Sequence, residues 1–248
     1  MKDLDRTRVA LIATTDEETG SATTRTLIED VSKIAKAVLV LESAIDGKLK
    51  VGRKGTSWYR ITIHGRAAHA GLEPEKGVNA TVEVARIVNE LTKLENKSLG
   101  TSVVPTTMTS GTTTNTVPAL ATLDIDSRSF SLDEMQRIDS AIRSITPIHP
   151  DARIEIAGGI NRPPLETSAT LPLYQLAEKL AKDAGISSLG SASVGGASDG
   201  NFAGQFTQVL DGLGAVGDGA HANHEHILAS TLEPRSKLLT LLVNEILK

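Results

Sequence analysis

The chain has no cysteine in its 248 residues. Disulfides and thiolate catalysis are therefore excluded. Any metal must be held by His, Asp and Glu, a donor set that suits zinc, cobalt or manganese better than a soft-ligand site. Long apolar runs are missing as well: none approaches the ~18 residues of a membrane span. Positive charge is not in excess. The net charge is -4, so nothing points to nucleic acid or to a polybasic membrane patch. The opening stretch, MKDLDRTRVALIATT, lacks the apolar core and small-residue cleavage site of a signal peptide, which leaves the cytoplasm as the expected location.

What remains is ordinary for a soluble globular protein: 40% hydrophobic and 23% charged residues, enough for one large domain or two small ones. Residues 8–14 read as a buried strand, 21–36 as a helix, and Ala37 to Leu41 as a second strand ending at Glu42. That βαβ order predicts parallel strands. It also puts acidic residues at the strands' carboxyl ends, where open α/β sheets bind ligands.

The middle of the chain changes character. Residues 57–64 alternate, with Tyr59, Ile61 and Ile63 on one face. A helix is predicted over 77–95, with Val84, Ile87, Val88, Leu91 and Leu94 on its stripe. Residues 101–110 read as an edge or broken strand because of Pro105. Residues 116–126 alternate again, Ser131 and Glu134 form a capping box for a helix over 131–146, and 152–158 read as a last strand. This βαββαβ order is the ferredoxin-like unit. The predicted fold is thus an α/β domain, residues 1–54 and 164–248, interrupted by a domain at 55–163. In the second half of the α/β domain, Thr170 and Pro172 open a helix ending near Gly185. A glycine-rich stretch at 190–204, an apolar run, the cluster HANHEH at 221–226 and a helix at 231–247 follow.

Two adjacent glutamates, Glu17 and Glu18 in TTDEETGS, need explaining. They could simply complement a helix dipole. Together with Glu42 and His221, however, they should converge on one sheet edge. Carboxylate and imidazole suit zinc, and an adjacent carboxylate outside the metal shell can deprotonate a metal-bound water.

The motifs TTDEETGS, VLVLES, HGRAAHAGLEPEKGVNA, TNTVPALATLDIDSR, GGASDGN and GDGAHANHEHI resemble, in order and spacing, those of the co-catalytic zinc peptidases and deacylases. That family includes glutamate carboxypeptidases, acetylornithine deacetylases, succinyl-diaminopimelate desuccinylases and aminoacylases, and the glutamate carboxypeptidase branch is the most similar. The resemblance implies a hydrolase of small peptides or N-acyl amino acids with two zinc ions per intact site. Glu17 would be the general base, and Glu18, Glu42 and His221 metal ligands. His69 would steady the oxyanion of a partner subunit's site. Asn115 and Arg128 would grip substrate, while Gly195 and Gly196 would let backbone approach it. The inserted domain at 55–163 would hold a homodimer.

Simpler roles stand beside these. Arg128 could pair with Asp124 or Asp126 on its own strand face. His64 fits a polar strand face, His149 a turn, and His224 and His226 a spare position near an open site. The family's N-terminal half, with its His-x-Asp motif and bridging Asp, has no counterpart here. The acids before the glutamate pair are Asp3, Asp5 and Asp16, none in that context. The expectation is therefore an N-terminally shortened form with an incomplete dinuclear site. Two alternatives remain: a serine esterase using Ser198 in GASDG, a Gly-x-Ser-x-Gly pattern, or a non-catalytic dimerising fragment.

Overall fold

A computed structural model describes residues 8–248; Asp3 and Asp5 lie outside the described residues. The described residues form two compact units, one of residues 8–54 and 162–248, the other of residues 55–161.

The first segment departs from expectation at its start. Residues 9–13 form no strand, and Leu11 is 86% exposed. An apolar run becomes a strand only where a neighbour completes its hydrogen-bond ladder, and no described strand pairs with this one. The following helix α1 (Arg25–Ile34) is shorter than predicted. Asp16 explains its late start, because its carboxylate accepts from the Thr23 N–H (2.8 Å) and from the Thr23 and Thr24 hydroxyls. Those bonds draw the carboxyl down to about 2, the Thr24 hydroxyl contributing most. Strand β1 (Ala37–Leu39) and strand β2 (Leu49–Arg53) follow. The sequence pattern did not reveal β2, because its buried residues include Lys50 and Arg53.

The second unit follows its sequence pattern closely. It comprises β3 (Gly55–His64), α2 (Ala80–Leu91), β4 (Ser102–Ser110), β5 (Leu120–Ser129), α3 (Leu132–Arg143) and β6 (Arg153–Arg162), of which Arg162 itself belongs to the first unit. The sheet order is β4-β5-β3-β6. Strand β5 thus lies between the two strands of the first βαβ crossover and runs antiparallel to both. Tyr59, Ile61 and Ile63 of β3 and Leu123 and Ile125 of β5 are buried against the helices. Helix α2 meets them with Ala80, Val84, Ile87 and Leu91, the i, i+4, i+7 spacing of one helical face. Each fully buried Leu or Ile contributes about 1.5–3 kcal/mol. Asn79 caps α2 through bonds from the Thr81 and Val82 N–H groups. Ser131 caps α3 by accepting from the Glu134 N–H. The expected capping box is only half made, because the Glu134 carboxylate is taken by Thr101 and Arg137. Strand β4 is an edge strand, and its register shifts between Pro105 and Thr107, where proline has no N–H to give the ladder.

The chain then returns to the first unit with α4 (Thr167–Asp183), β7 (Ser191–Val194), the short α5 (Gly200–Ala203), β8 (Gln208–Leu210), the β9–β10 pair (Gly217–Asp218, His226–Ile227) and α6 (Leu232–Ile246). Helix α4 starts before Thr170, so Pro172 lies inside it rather than opening it. The Thr170 hydroxyl instead ties the helix to β2 through the Val51 carbonyl at 2.7 Å. β1 pairs in parallel with β8, and β2 with β7, so both halves of this unit's sequence contribute to each pair. The parallel partner that the structure gives β1 is β8, not the run at 8–14. One core of this unit gathers Leu49, Leu173, Leu210, Leu238 and Leu242, and another Ile28, Leu165, Phe202 and Val209. No helix among the described residues is long and apolar enough to cross a membrane.

Candidate active site

The glutamate pair sits on a tight 3-10 turn, Glu17–Thr19, followed by Gly20 (φ 96°) and Ser21 (φ 57°). A buried serine in the left-handed region needs compensation, and Ser21 has it: its hydroxyl donates to Asp199 Oδ1 at 2.5 Å. Arg162 closes the arrangement. Its Nη2 donates to the Glu17 carbonyl (2.8 Å) and the Ser21 hydroxyl (2.6 Å), and lies 3.3 Å from both the Glu17 carboxylate and Asp199. Burial pushes the Glu17 carboxyl above its ordinary value; Arg162 pulls it back, and Glu42, Asp199 and Glu18 push it up again. An elevated carboxyl pKa is what a general base near neutrality needs.

Glu18 points the other way, largely exposed, with its Oε2 3.8 Å from His221 Nε2. His221 itself adopts a left-handed backbone (φ 65°), a conformation costing a non-glycine residue about 1–2 kcal/mol. Glu42, just beyond β1, lies 4.0 Å from the Arg53 guanidinium. Burial, and then Arg53, lower the Lys50 ammonium, while Asp211, Glu42 and Glu17 resist. His224 and His226 are exposed, and the His226 ring contacts the His224 carbonyl at 3.0 Å.

As a metal site the donors are right in kind and short in number. Glu18 and His221 meet, but among the described residues no three His, Asp or Glu side chains gather closely enough to hold an ion. A zinc site takes at least three protein ligands. Among the described residues, Glu18 and His221 thus supply donors of the right kind without a third beside them.

In the second unit, His69 and Asn115 lie on adjoining strands of backbone. His69 forms an antiparallel bridge with Thr116, and the Ala70 N–H donates to the Asn115 carbonyl. His69 Nδ1 accepts from the Gly71 and Leu72 N–H groups at 3.2 and 3.1 Å. The neutral ring must then carry its proton on Nε2, leaving a donor on an exposed side chain. Arg128 holds Asp126 in a fork, at 2.8 and 3.0 Å, the same-strand pairing weighed from sequence. Asp124 pairs with Arg60 instead. His64 lies 3.3 Å from Glu155 across the sheet. His149 serves its turn through the Asp151 N–H.

The loop GGASDGN proves to be a junction. Ser198 is fully buried; its hydroxyl donates to Asp211 Oδ2 (2.7 Å) and accepts from the Gly200 N–H (3.1 Å). This geometry does not favour a nucleophile, which must be reachable and paired with a base. Asn201 donates to the Lys54 and Pro163 carbonyls. Nothing lies within 4 Å of where a Cβ on Gly195 would stand, and only Arg53 approaches one on Gly196, so the chain's own packing does not demand glycine there. Sequence reasoning missed Arg162, Arg53, Asp199 and Asp211. The available signal was a charged residue ending an otherwise strand-like run, in KVGR and in GINR.

Residues 51–149 match the M20 family model described as a peptidase dimerisation domain. The chain is 30% identical over 236 residues to carboxypeptidase G2 of Pseudomonas sp. (strain RS-16), covering 92% of this chain and 56% of that protein. Among solved structures it is similar to the aminopeptidase PepT of Bacillus cereus ATCC 10987, with TM-score 0.75, 20% identity, and coverage of 95% of this chain and 63% of that one. It is also similar to the YXEP protein of Bacillus subtilis, a dinuclear metal-binding peptidase of the M20 family, with TM-score 0.71, 16% identity and coverage of 93% and 62%. The chain spans a little over half the length of carboxypeptidase G2 and under two thirds of both structures.

Proposed function

We propose that this relative of the M20 peptidases carries part of the machinery of a metal-dependent hydrolase acting on peptide or N-acyl amino-acid bonds. The observation that carries the reading is the meeting of Glu18 with His221 at 3.8 Å, from opposite ends of the chain, beside a half-buried Glu17 with a raised carboxyl pKa. In this reading Glu17 takes the proton of the attacking water and passes it to the leaving amine. His69, with its proton fixed on Nε2, stabilises the developing oxyanion. Asn115 and Arg128 bind the polar and carboxylate groups of the substrate, Asp126 holding the Arg128 fork in orientation. Glu18, Glu42 and His221 are the chain's contribution to a metal site for zinc, cobalt or manganese that needs further ligands. The dimerisation-domain match over residues 51–149 supports a homodimer; in this reading the dimer is held through 55–163, and His69 of one copy serves the site of the other.

The test is hydrolysis of N-acyl glutamates and of dipeptides ending in glutamate, with each metal added in turn. A chelator should stop turnover, and Glu17→Gln should lower it about 10²–10⁴-fold. A serine-reactive phosphonate should do nothing. Mixing inactive Glu17→Gln and His69→Ala variants should regenerate about one quarter of native sites if the dimer shares them. No turnover with any metal, and no effect of Glu18→Ala on zinc binding, would instead leave a non-catalytic dimerising protein.

A further inference from the structure

We infer that Arg162 is a positioning residue that anchors the Glu17–Glu18 turn, with Asp199 holding Arg162 in place. One guanidinium nitrogen grips the turn at three points: the Glu17 carbonyl (2.8 Å), the Glu17 carboxylate (3.3 Å) and the Ser21 hydroxyl (2.6 Å). The turn's own bonds are few: Thr19 and Ser21 donate to the Asp16 carbonyl, and Gly20 donates to the same Glu17 carbonyl that Arg162 holds. Asp199 fixes the other side, lying 3.3 Å from Arg162 and accepting from Ser21 and Thr14. The Phe202 ring stacks 5.4 Å beneath the guanidinium. Arg162 side chain exposure is 5%, yet its Nε has no hydrogen-bond partner among the described residues. The GASDGN loop therefore acts on the glutamate pair at second hand, through Asp199 and Arg162. That this matters to catalysis rests on the reading of Glu17 as the base; the anchoring itself does not.

Hydrogen exchange of residues 14–24, read by mass spectrometry on the full chain, tests the anchoring. Arg162→Gln should speed exchange at Gly20 and Ser21 by about tenfold. Arg162→Lys, keeping a charged donor on a side chain of different reach, should give a smaller increase. The control is Arg235→Gln. Arg235 is also a buried arginine of the first unit, donating to the Gly214, Gly47 and Gly212 carbonyls, and its loss should leave residues 14–24 within about twofold of native. Unchanged exchange in Arg162→Gln, or equal acceleration in Arg235→Gln, overturns the inference. Should Arg162→Gln fail to fold, Arg162→Lys and Asp199→Asn give the same readout. If exchange rises as expected while Glu17→Gln leaves turnover unchanged, the anchor stands and the base assignment falls.

Discussion

Replacing Arg53 by methionine should unbalance the most deeply buried ion pair of the first unit. Methionine keeps most of the side-chain volume and removes the charge. Asp211 is fully buried and receives Arg53 Nε at 2.7 Å and Nη2 at 2.9 Å. The Gly196 and Ala197 carbonyls receive Nη1 at 3.0 and 3.2 Å. After substitution Asp211 keeps the Ser198 hydroxyl as its side-chain hydrogen bond and the Lys50 ammonium as its nearby charge, a weaker set than the Arg53 fork. Breaking one side of such a pair costs about 3–5 kcal/mol, mainly through the charge left behind. The readout is urea unfolding by far-UV circular dichroism. At a slope of about 2 kcal/mol/M, a 4 kcal/mol loss lowers the midpoint by about 2 M. Arg53→Met/Asp211→Asn removes the stranded charge and should recover roughly half of the loss. A single-variant cost below about 1 kcal/mol, or a double variant no better than the single, would refute the reasoning.

Ser198→Ala should cost about 1–3 kcal/mol through the unpaired Gly200 N–H and the weakened Asp211 shell, with turnover changed only a few-fold; a loss near 10³ at unchanged stability would restore the serine nucleophile. Asp16 contributes stability through a folded pKa of about 2, below its ordinary 3.8. Its depressed carboxyl is stabilising above the higher value, and that contribution is lost as pH falls through the lower one. The melting-temperature gap between native protein and Asp16→Asn should therefore be full above about pH 4.5 and close only below about pH 2; a gap independent of pH would count against the Asp16 bonds. Gly158→Ala should destabilise by at least about 2 kcal/mol. Gly158 has φ +90°, and its added Cβ would stand 2.1 Å from the Trp58 carbonyl; a thermal melt matching the native one would refute that.

The second unit was readable because its central strands, β3 and β5, each have one wet and one dry face. Tyr59, Ile61 and Ile63 announce a period of two, and Val84, Ile87 and Leu91 a helical stripe. Pro105 marks the edge for the same chemical reason that it disrupts the register. The first unit was less legible. Its strands are short, the β1–β8 and β2–β7 pairs are parallel, and β2 hides Lys50 and Arg53 inside, which hydropathy reads as exposed. The run at 9–13 shows the opposite error, since apolar composition cannot say whether a ladder partner exists. At the candidate site, Glu18 and His221 were named through motif order, and the structure sets them side by side. The arginines behind the site were invisible because each is defined by a carboxylate far away in sequence. Arg53 finds Asp211, and Arg162 finds Glu17 and Asp199. The Ser198 pattern kept a serine alternative open because a tightly packed loop and a nucleophile elbow favour the same small residues, and the burial of Ser198 does not favour it.

The chain's single tryptophan, Trp58, lies on the open face of the second unit's sheet, 38% exposed, with its indole N–H 3.2 Å from Asp126. That placement makes the protein optically one-sided. Excited at wavelengths where tyrosine is silent, its emission originates wholly in residues 55–161. The Asp126 carboxylate that meets the indole is the same one that holds Arg128. A ligand drawing Arg128 away from Asp126 would register as a change in emission. An ion arriving at Glu18 and His221 has no fluorophore of that kind in its own unit, so a metal titration there calls for cobalt absorbance or calorimetry.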